Sequence, residues 1–517
     1  MKLINRFLQL YFAPRLRAIE YFKSHPIEVQ QRQYARLIKA GERTIFGREH
    51  DIHAGMPYEE FRKRVPVMEY ADLAPYVERI RNGEKRVTWP TPVGWFSRSS
   101  GTTSAACKLI PLTKQGLRDS HIKGPLDVAA IYTHLYPNGG AYLGKTLILG
   151  GSKKLEKQGD TIPIGDLSSI LIDNTPAIGG VVREPHKSIA LLADFDKKVQ
   201  LICEKVTKKD VRVFAGVPSW NLVMMQRILD YTGKSNILEV WPNMELFVHG
   251  GMSFKPYKAQ FAKLLPSDKM KYIETYNASE GFFGIAEQPY TDEMLLMLDY
   301  NCFYEFLPTD HLGDYSRVVP LEGVEKGKNY ALIITSSNGL WRYMMGDTIM
   351  FTSTAPYKFR FTGRTKLFVN AFGEEIIIDN AEKAVEAACH ATGAEIREYT
   401  MAPIFMGQIE GESAKGAHEW VMSFYKEPSS LEAFGEALDR ALCEVNTDYA
   451  AKRRNNFTLL PPTITKVAPD TFEELLRSEG RLGGQIKIPR LNAERTYVER
   501  LKEFDLKRGV EGSKEGE

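Results

Sequence analysis

The segment Ser99-Ser100-Gly101-Thr102-Thr103-Ser104 gives the first indication of chemistry in this sequence. It places five hydroxyl groups around one glycine, and Lys108 follows four residues later. Backbone amides and hydroxyls can wrap phosphate oxygens, while glycine lets a ligand approach the backbone closely. The segment therefore predicts a phosphate-binding loop, although clusters of Ser, Thr and Gly are more often plain loops.

A second segment, Tyr276-Asn277-Ala278-Ser279-Glu280-Gly281, follows the strand-like run KYIET and precedes the apolar run FFGIA. A carboxylate at the end of a strand can hold a hard cation such as Mg²⁺ through its oxygens. The alternative is a hairpin turn with an exposed Glu280. Both interpretations place the residue at a strand end.

Later segments add a carboxylate and several cations. Asp347 follows a glycine in Arg342–Asp347, which the pattern places between two strands. Such a carboxylate can accept both hydroxyls of a ribose, or it can simply form a turn. Gly363-Arg364-Thr365-Lys366 and Gly483–Arg490 carry positive charge, and Lys487 follows the double glycine of the latter. Lys487 could supply charge to a reacting site, whereas most lysines of this kind are solvated.

Gly139–Thr146 matches the pattern GxxxxGK[ST] of nucleotide phosphate loops. That mechanism needs a strand before the loop and a helix after it. Here a helix-like segment precedes the loop and the β-rich run TLILGG follows it. We therefore favour a glycine-rich turn that enters a strand, with a P-loop ATPase or kinase as the alternative.

In this order, SSGTTS…K, YNASEG, GD, GRTK and QIKIPR resemble the motifs of the adenylate-forming superfamily, which includes acyl-CoA synthetases and luciferases. Within it the chain is most similar to the Gretchen Hagen family of acyl acid-amido synthetases, known from plant hormone conjugation. The Ser-Ser-Gly-Thr opening, the YxxSE core and the QxKxPR ending carry this resemblance, which spans roughly residues 90 to 490.

The resemblance implies a role for each matching residue. ATP phosphates would be held by Ser99, Ser100, Gly101, Thr102, Thr103, Ser104 and Lys108. The implied catalytic groups are Thr102, Glu280 and Lys487, with Glu280 as the Mg²⁺ ligand. The rest of the nucleotide would contact Gly250, Gly251, Met252, Tyr276, Ser279, Asp347, Arg364 and Lys366.

Among these, Tyr276 would pack against adenine, Asp347 would bind the ribose, and Lys366 would be the hinge of a mobile lid. The implied border of the acyl pocket is Val217, Pro218, Ser219 and Trp220, although helix packing explains those residues equally well.

The sequence departs from the plant members at three positions. Ala105 stands where they commonly have glycine, Cys107 where they have a basic residue, and Met344 where they have arginine. These changes predict a less flexible phosphate loop and a less positive site. They leave adenylation chemistry in place and put the plant substrates in doubt.

The implied reaction is an ATP-dependent ligation with Mg²⁺. A carboxylic acid is activated as its acyl-adenylate with release of pyrophosphate, and an amine, in this family that of an amino acid, then takes the acyl group. The nearest alternative is a thioester-forming ligase that uses coenzyme A. Alternatives of other classes are the P-loop enzyme and a non-catalytic nucleotide-binding protein.

Composition agrees with a globular enzyme and excludes several other classes. Apolar residues make up 43% and charged residues 26% of 517 residues, and the net charge is +3, too small to suggest a nucleic-acid or membrane-surface partner. Five scattered cysteines without a CxxC pair disfavour a disulfide framework and favour a reducing cytoplasm. We expect a monomer with small-molecule substrates.

The elements that must position these residues change in character along the chain. The first 90 residues predict helices, with Pro26 opening one of them. Strands are then predicted at Thr146–Leu149, Val211–Phe214, Leu246–Val248, Met270–Thr275 and Ala331–Thr335, with helices between them. This pattern indicates a large layered α/β domain over residues 1–362.

Residues 363–517 predict a smaller α+β lid domain, with the hinge near residues 364–366. Its predicted elements include a helix from Asn380 to Thr392 with Asn380 as the N-cap. A second helix would begin at Ser429, with Glu432 completing a capping box.

Overall fold

The computed structural model describes residues 2–99, 108–150, 162–192, 194–251, 254, 257–365, 368–369, 371, 374, 376–405, 408, 415–453, 459–480, 488–492 and 494–514. Internal contacts divide the chain into two compact units. Unit 1 contains Met1–Met252 and Leu264–Phe361, and unit 2 contains Ser253–Lys263, Thr362–Leu482 and Ile486–Glu517. The boundary between residues 362 and 363 stays a prediction, and the segment Ser253–Lys263 groups with unit 2.

The first 90 residues are helical, as the sequence predicts. The helices are α1 Lys2–Ser24, α2 Pro26–Gly41, α3 Ile45–Glu49, α4 Tyr58–Arg64 and α5 Tyr70–Arg81. Pro26 occupies the first turn of α2, where its missing N–H has no intrahelical acceptor in any case. Thr44 caps α3 by accepting a hydrogen bond from the Gly47 amide at 2.8 Å.

Further helices alternate with strands in the rest of unit 1 and reach into unit 2. They are α6 Lys114–Gly116, a π-helix Leu117–Ile122, α7 Lys123–Leu135, α8 Leu167–Asp173, α9 Ala177–Val182, α10 Lys187–Ala190, α11 Phe195–Val206, α12 Pro218–Thr232, α13 Ile237–Val240 and α14 Lys258–Leu264.

The strands of unit 1, the last of which runs past Phe361, form a large and a small sheet. They are β1 Val93–Ser99, β2 Lys108–Thr113, β3 Lys145–Ile148, β4 Ile164–Asp166, β5 Arg183–Glu184, β6 Val211–Gly216, β7 Leu246–Gly250, β8 Lys271–Ala278, β9 Gly281–Ile285, β10 Met294–Leu296, β11 Cys302–Pro308, β12 Val319–Pro320, β13 Asn329–Ser336, β14 Leu340–Thr354 and β15 Tyr357–Arg364.

Within the described residues the large sheet has the order β12-β11-β13-β14-β15-β10-β9-β8-β7-β6-β3-β5. Five neighbouring strands of this sheet, β8, β7, β6, β3 and β5, pair in parallel. At β8 and β9 the pairing becomes antiparallel. The small sheet has the order β2-β1-β4, in which β4 runs parallel to β1. The predicted layered α/β architecture is confirmed.

The predicted position of Arg342–Asp347 is wrong, because this segment lies inside β14 rather than between two strands. The ladder with β13 shifts register here: two steps along β13, from Ala331 to Ile333, correspond to four along β14, from Thr348 to Met344. Gly346 has φ +86°, which suits a β-bulge. The glycine therefore marks a bulge and not a turn.

Unit 2 is built around a three-stranded sheet in the order β18-β19-β20. Besides α14, the elements of unit 2 are β16 Phe368–Val369, β17 Ile376–Ile377, α15 Ile378–Thr392, β18 Glu395–Ile404, β19 Ala417–Lys426, α16 Leu431–Val445, α17 Thr447–Arg453, β20 Thr463–Lys466, α18 Thr471–Ser478 and α19 Thr496–Lys514. Trp420, Tyr399 and Leu438 lie in its apolar core, which gives this unit a core of its own.

Two predicted helix starts in unit 2 are wrong by one to three residues. Asn380 is the third residue of α15, and its side chain accepts a hydrogen bond from the Ile377 amide at 3.2 Å. Ser430, and not Ser429, caps α16 by accepting from the Ala433 amide at 2.9 Å. Where two serines are adjacent, the pattern does not decide which of them is the cap.

Candidate active site

Several predicted site residues lie outside the described residues. They are Ser100, Gly101, Thr102, Thr103, Ser104, Met252, Lys366 and Lys487, together with Ala105 and Cys107. The side chains of Ser99, Ser219 and Trp220 are not described either. The roles implied for all of these stay predictions.

Tyr276 and Asp347 form a direct contact inside unit 1. The Tyr276 hydroxyl donates to Asp347 Oδ2 at 2.6 Å, and both side chains are buried. The Tyr276 ring packs among Phe283, Phe359 and Phe361, with ring centroids 5.2 to 5.9 Å apart. One oxygen of the Asp347 carboxylate is thus fixed by a tyrosine that is itself held by aromatic packing.

Glu280 lies in the turn between β8 and β9, so the predicted hairpin is present. Its side chain is only 7% exposed, however, and the alternative of an exposed glutamate is wrong. Two neighbours hold the turn: Asn338 Nδ2 donates to the Glu280 carbonyl at 3.2 Å, and the Phe282 amide donates to Ser120 Oγ at 2.9 Å. A buried carboxylate in a fixed turn is suited to bind a charged group.

Glu280 and Asp347 both lie within electrostatic range of the Tyr343 hydroxyl. Burial raises the pKa of the Tyr343 hydroxyl well above its ordinary value, and the negative charges of Glu280 and Asp347 raise it further. Both carboxylates therefore act on one buried phenol ring. The structure thus places Tyr276 and Asp347 in direct contact, with Glu280 within electrostatic range of the same phenol.

The predicted phosphate loop begins and ends near the turn that carries Glu280. Ser99 pairs with Lys108 across the β1–β2 ladder, so the loop leaves and returns at the same point. Ser97 Oγ donates to Ser279 Oγ at 3.0 Å, which ties β1 to the residue before Glu280. On the β2 side, Lys108 Nζ lies 5.9 Å from the centroid of the Tyr70 ring. Tyr70 also contributes to the raised pKa of Tyr343.

Gly250 and Gly251 lie at the end of β7, next to β8. A Cβ at Gly250 would come within 2.2 Å of the Thr275 carbonyl oxygen, so only glycine fits there. Gly251 has φ +83°, which also favours glycine. These two residues bring bare backbone beside the strand that carries Tyr276, and their adenine-lining role stays a prediction.

Val217 and Pro218 come directly after β6, and Pro218 is the first residue of α12. Strands β3, β6, β7 and β8 are parallel, so their carboxyl ends lie at one edge of the sheet. Ligands of open α/β sheets bind outside that edge. The predicted pocket residues Val217 and Pro218 therefore lie along the same edge as Gly250 and Glu280.

Arg364 and Met344 occupy different surroundings. Arg364 is the last residue of β15, is half-buried and belongs to unit 2. Met344 packs in an apolar cluster with Val67, Leu307, Val318, Ala331 and Ile333. In this chain position 344 is therefore part of the core, which explains how methionine is accommodated there.

Sequence reasoning missed a buried histidine next to the Glu280 turn. His121 lies in the π-helix and is 1% exposed, and burial lowers its pKa to about 4. Its ring approaches the Ser279 carbonyl, but within the described residues neither ring nitrogen makes a hydrogen bond of normal geometry. Short π-helical segments are frequent at functional sites. The sequence carries no signal for one at this position.

The P-loop alternative is contradicted by the contacts of Gly139–Thr146. The Gly140 amide donates to Glu245 Oε2 at 2.7 Å, and Tyr132 donates to the other oxygen of that carboxylate at 2.6 Å. Lys145 Nζ donates to the Val181 carbonyl at 2.6 Å and begins β3. A carboxylate occupies the place where a phosphate would bind, and a strand follows instead of a helix.

Among the described residues there is no group of three or more His, Cys, Asp or Glu arranged to hold a metal ion. Mg²⁺ at nucleotide sites is bound by one or two carboxylates together with phosphate oxygens and water. The buried carboxylate of Glu280 fits that kind of site. None of the described helices is long and apolar enough to cross a membrane.

Three family models match the chain. They are the GH3 family N-terminal domain over residues 15–230, the GH3 family central domain over residues 295–364 and the GH3 family C-terminal domain over residues 379–496.

Similar proteins and structures agree with these models. Indole-3-acetic acid-amido synthetase GH3.4 of Arabidopsis thaliana is 25% identical, over 92% of this chain and 91% of its own. The 4-substituted benzoates-glutamate ligase GH3.12 of the same plant is 24% identical, over 84% of this chain and 87% of its own.

Among solved structures, AtGH3.15 acyl acid amido synthetase in complex with 2,4-DB has a TM-score of 0.77 at 20% identity, covering 94% of this chain and 95% of its own. A 2-hydroxyisobutyryl-CoA ligase in the postadenylation state has a TM-score of 0.58 at 13% identity, covering 92% and 90%. The fold is that of adenylate-forming enzymes.

Proposed function

This chain belongs to the GH3 family, and we propose on that premise that it is an ATP-dependent, AMP-forming ligase that joins a carboxylic acid to an amino acid through an amide bond. The observation that supports this most directly is the contact between Tyr276 and Asp347, with Glu280 within electrostatic range of the same Tyr343 hydroxyl and Ser279 tied to β1, the strand that leads into the Ser99–Lys108 loop.

The first half-reaction solves a chemical problem. A carboxylate resists attack by an amine because it is anionic and has no adequate leaving group. Attack of the carboxylate on the α-phosphorus of ATP removes the charge and supplies AMP as the leaving group, while pyrophosphate departs. No nucleophile from the protein is needed, so positioning and charge provide the catalysis.

The residues at the strand ends have separate tasks in this step. Asp347, held by Tyr276, accepts the ribose hydroxyls, and the bare backbone of Gly250 and Gly251 lies against the adenine. Glu280 would hold Mg²⁺, which when bound neutralises charge that builds on the phosphate oxygens. Lys487 adds positive charge at the carboxylate and α-phosphate, and Thr102 with its neighbours wraps the phosphates.

In the second half-reaction the amine of the acceptor attacks the acyl carbonyl and AMP leaves. The lid rotates about Lys366 between the two steps, so that one site serves two reactions. Relatives of this chain are named amido synthetases and a benzoate–glutamate ligase, which supports an amino acid as the acceptor. The cytoplasmic location, the monomeric state and the lack of a nucleic-acid partner stay predictions.

The runner-up is a thioester-forming ligase, since a CoA ligase shares the fold. The two are separated by supplying either an amino acid or coenzyme A after adenylate formation and identifying the product by mass. An amide supports the proposal, and a thioester contradicts it.

The reaction class is tested first by ATP–pyrophosphate exchange across a panel of aromatic and aliphatic acids. Lys487→Ala should lower this exchange by about 100-fold or more, as expected for loss of a preorganised charge. Lys145→Ala is the matched control, because that side chain binds the Val181 carbonyl and should leave exchange unchanged. Failure of every acid with the wild-type protein would favour a non-catalytic nucleotide-binding protein.

A further inference from the structure

Lys198 of α11 is buried, although a lysine on a helix normally extends its charge into solvent. The Lys198 side chain is 2% exposed, whereas its neighbour Lys197 is exposed. Lys198 Nζ donates to the Gly150 carbonyl at 2.9 Å. This is the one hydrogen bond that Nζ makes within the described residues, although an ammonium has three N–H donors. The remaining donors point to an anionic ligand, because a buried ammonium needs partners.

Two further charged residues belong to the same cluster. Asp166 ends β4 and pairs in register with Arg98 of β1. Burial lowers the pKa of Lys198 to about 8, and the negative charge of Asp166 opposes that shift. Burial likewise raises the pKa of Asp166, opposed by the positive charges of Arg98 and Lys198. We call these three residues the Lys198 cluster.

The Lys198 cluster lies at the same sheet edge as the candidate nucleotide site. Gly150, which accepts from Lys198, comes two residues after β3, and Glu280 comes two residues after the parallel strand β8. The sheet order β8-β7-β6-β3 puts three strand spacings between them, or about 14 Å. Ser279 Oγ donates to the Arg98 carbonyl at 3.5 Å, which ties the cluster to the residue before Glu280.

This separation determines which carboxylate the cluster can meet. The reacting carboxylate must lie at the α-phosphate, beside Glu280, and the Lys198 ammonium, whose acceptor Gly150 lies about 14 Å from Glu280 along the sheet, does not touch it. A ligation of an acid to an amino acid has another carboxylate that survives both steps, namely that of the acceptor. A dicarboxylic acid substrate would provide a second source of the same group.

We propose that Lys198, assisted by Arg98 and Asp166, forms a subsite for the substrate carboxylate that does not react. The inference rests on the proposed ligase function and deepens it. It states that residues at the carboxyl ends of β3 and β4 recognise a carboxylate of the substrate. The ammonium donates to the carboxylate, the Gly150 carbonyl holds the ammonium in place, and the negative charge of Asp166 attracts both cations.

The test compares Lys198→Met with Lys198→Arg and with the exposed control Lys197→Met. Pyrophosphate exchange with a monocarboxylic acid, without acceptor, reports adenylation alone. Amide formation with an amino acid and with its carboxamide reports the recognition of the acceptor carboxylate. Pyrophosphate exchange with a dicarboxylic acid reports the alternative source.

Lys198→Met should raise the KM for the amino acid by about 10- to 100-fold, as for loss of a hydrogen bond to a charged group. It should leave the KM for the carboxamide and the exchange with a monocarboxylic acid unchanged. Lys198→Arg should restore most of the affinity, and Lys197→Met should behave as wild type. A rise confined to the KM of a dicarboxylic acid in the exchange reaction would assign the subsite to the acid substrate.

Unchanged KM values for amino acids and dicarboxylic acids in Lys198→Met would overturn the subsite. A uniform loss of all activities together with a lower thermal midpoint would also overturn it, because that result means a purely structural lysine. Should Lys198→Met not fold, Lys198→Gln, which retains a donor for the Gly150 carbonyl, carries the same comparison. Normal exchange without a Lys198 effect refutes only the subsite, whereas absent exchange in the wild type refutes the ligase itself.

Discussion

Two buried charge clusters of unit 1 differ in how fully the chain satisfies them. In the first, Arg15 of α1 donates to both oxygens of Asp127 and to Asp299, and Tyr300 donates to Asp127 at 2.6 Å. In the Lys198 cluster, Nζ makes one hydrogen bond to the protein within the described residues. A charge whose donors and acceptors are all used by the chain holds the fold together, and one with donors left over is suited to a ligand.

Electrostatics support the same contrast. Although burial alone would raise the pKa of Asp299, Arg15 and Lys123 lower it, so this carboxylate stays ionised. In the Lys198 cluster burial prevails, since the pKa of Lys198 is lowered and that of Asp166 is raised. The charge interactions outweigh burial for Arg15 and Asp299 in the first cluster, although not for Lys123, whereas burial outweighs them for both Lys198 and Asp166. The predictions below test this contrast, beginning with the largest effect.

Arg15→Met should lower the free energy of unfolding by about 3–5 kcal/mol, because it leaves the buried Asp127 without its cation and Asp299 with Lys123 alone. Denaturant unfolding measures the loss, and the exposed Arg17→Met is the control. The KM values of the folded fraction should not change. A shift in KM with unchanged stability would mean that the Arg15 cluster, too, serves a ligand.

Whereas Arg15→Met should affect stability, Asp347→Ala should affect binding. It should weaken ATP binding by about 30-fold, or about 2 kcal/mol, through loss of charged hydrogen bonds to the ribose. The KM for ATP in pyrophosphate exchange gives this value. Asp268→Ala, which removes an exposed carboxylate of the same unit, is the control. A normal ATP affinity in Asp347→Ala would refute the ribose assignment.

Acidification should destabilise the region around the Glu280 turn. Burial lowers the pKa of His121 to about 4, against about 6.5 in the unfolded chain, so the unfolded chain takes up the proton first as the pH falls. Stability from this residue is therefore lost between about pH 7 and pH 4, with about 1 kcal/mol lost from pH 7 to pH 5.5.

Denaturant unfolding at these two pH values measures that effect. His121→Phe should flatten the pH dependence, and the exposed His134→Phe should not. Burial also lowers the pKa of His249, to about 3. The resulting loss of stability in acid is the same in both variants. An unaltered pH dependence in His121→Phe would show that this ring is protonated without penalty in the folded protein.

Ser279→Ala should give the smallest effect. It removes the hydroxyl that contacts Ser97 at 3.0 Å and the Arg98 carbonyl at 3.5 Å, hydrogen bonds that each contribute about 1 kcal/mol. We expect a KM for ATP raised by a few-fold, measured by pyrophosphate exchange. Ser316→Ala, in an exposed 3₁₀ turn, should leave it unchanged. A loss as large as that of Asp347→Ala would make Ser279 a ligand of the nucleotide itself.

The sequence was sufficient for the fold class and for the family because both depend on patterns of contiguous residues. Apolar runs such as Val211–Phe214 and Leu246–Val248 predict buried parallel strands, and the structure has β6 and β7 there. The ordered motifs indicate the adenylate-forming fold, which the structural comparison confirms. Tyr276, Glu280 and Asp347 were predicted as site residues; the structure places Tyr276 and Asp347 in direct contact, and the roles of all three stay predictions.

What the sequence could not predict depends on contacts between distant segments. Gly346-Asp347 looks like a turn, and only the pairing of β14 with β13 shows it to be a bulge inside a strand. Lys198 lies in an amphipathic helix with exposed charged neighbours, so its burial depends on Gly150, 48 residues earlier. The burial of Glu280 likewise depends on the segments that surround its turn.

The change from parallel to antiparallel pairing at β8 and β9 has an evolutionary consequence. On the antiparallel side Asp347 belongs to a continuous strand, where insertions disturb many ladder bonds. On the parallel side each strand ends in a connection that tolerates changes in length and composition. A lineage, or a mutant library confined to the connections after β3 and β6, can therefore acquire a different acid while it keeps the same nucleotide.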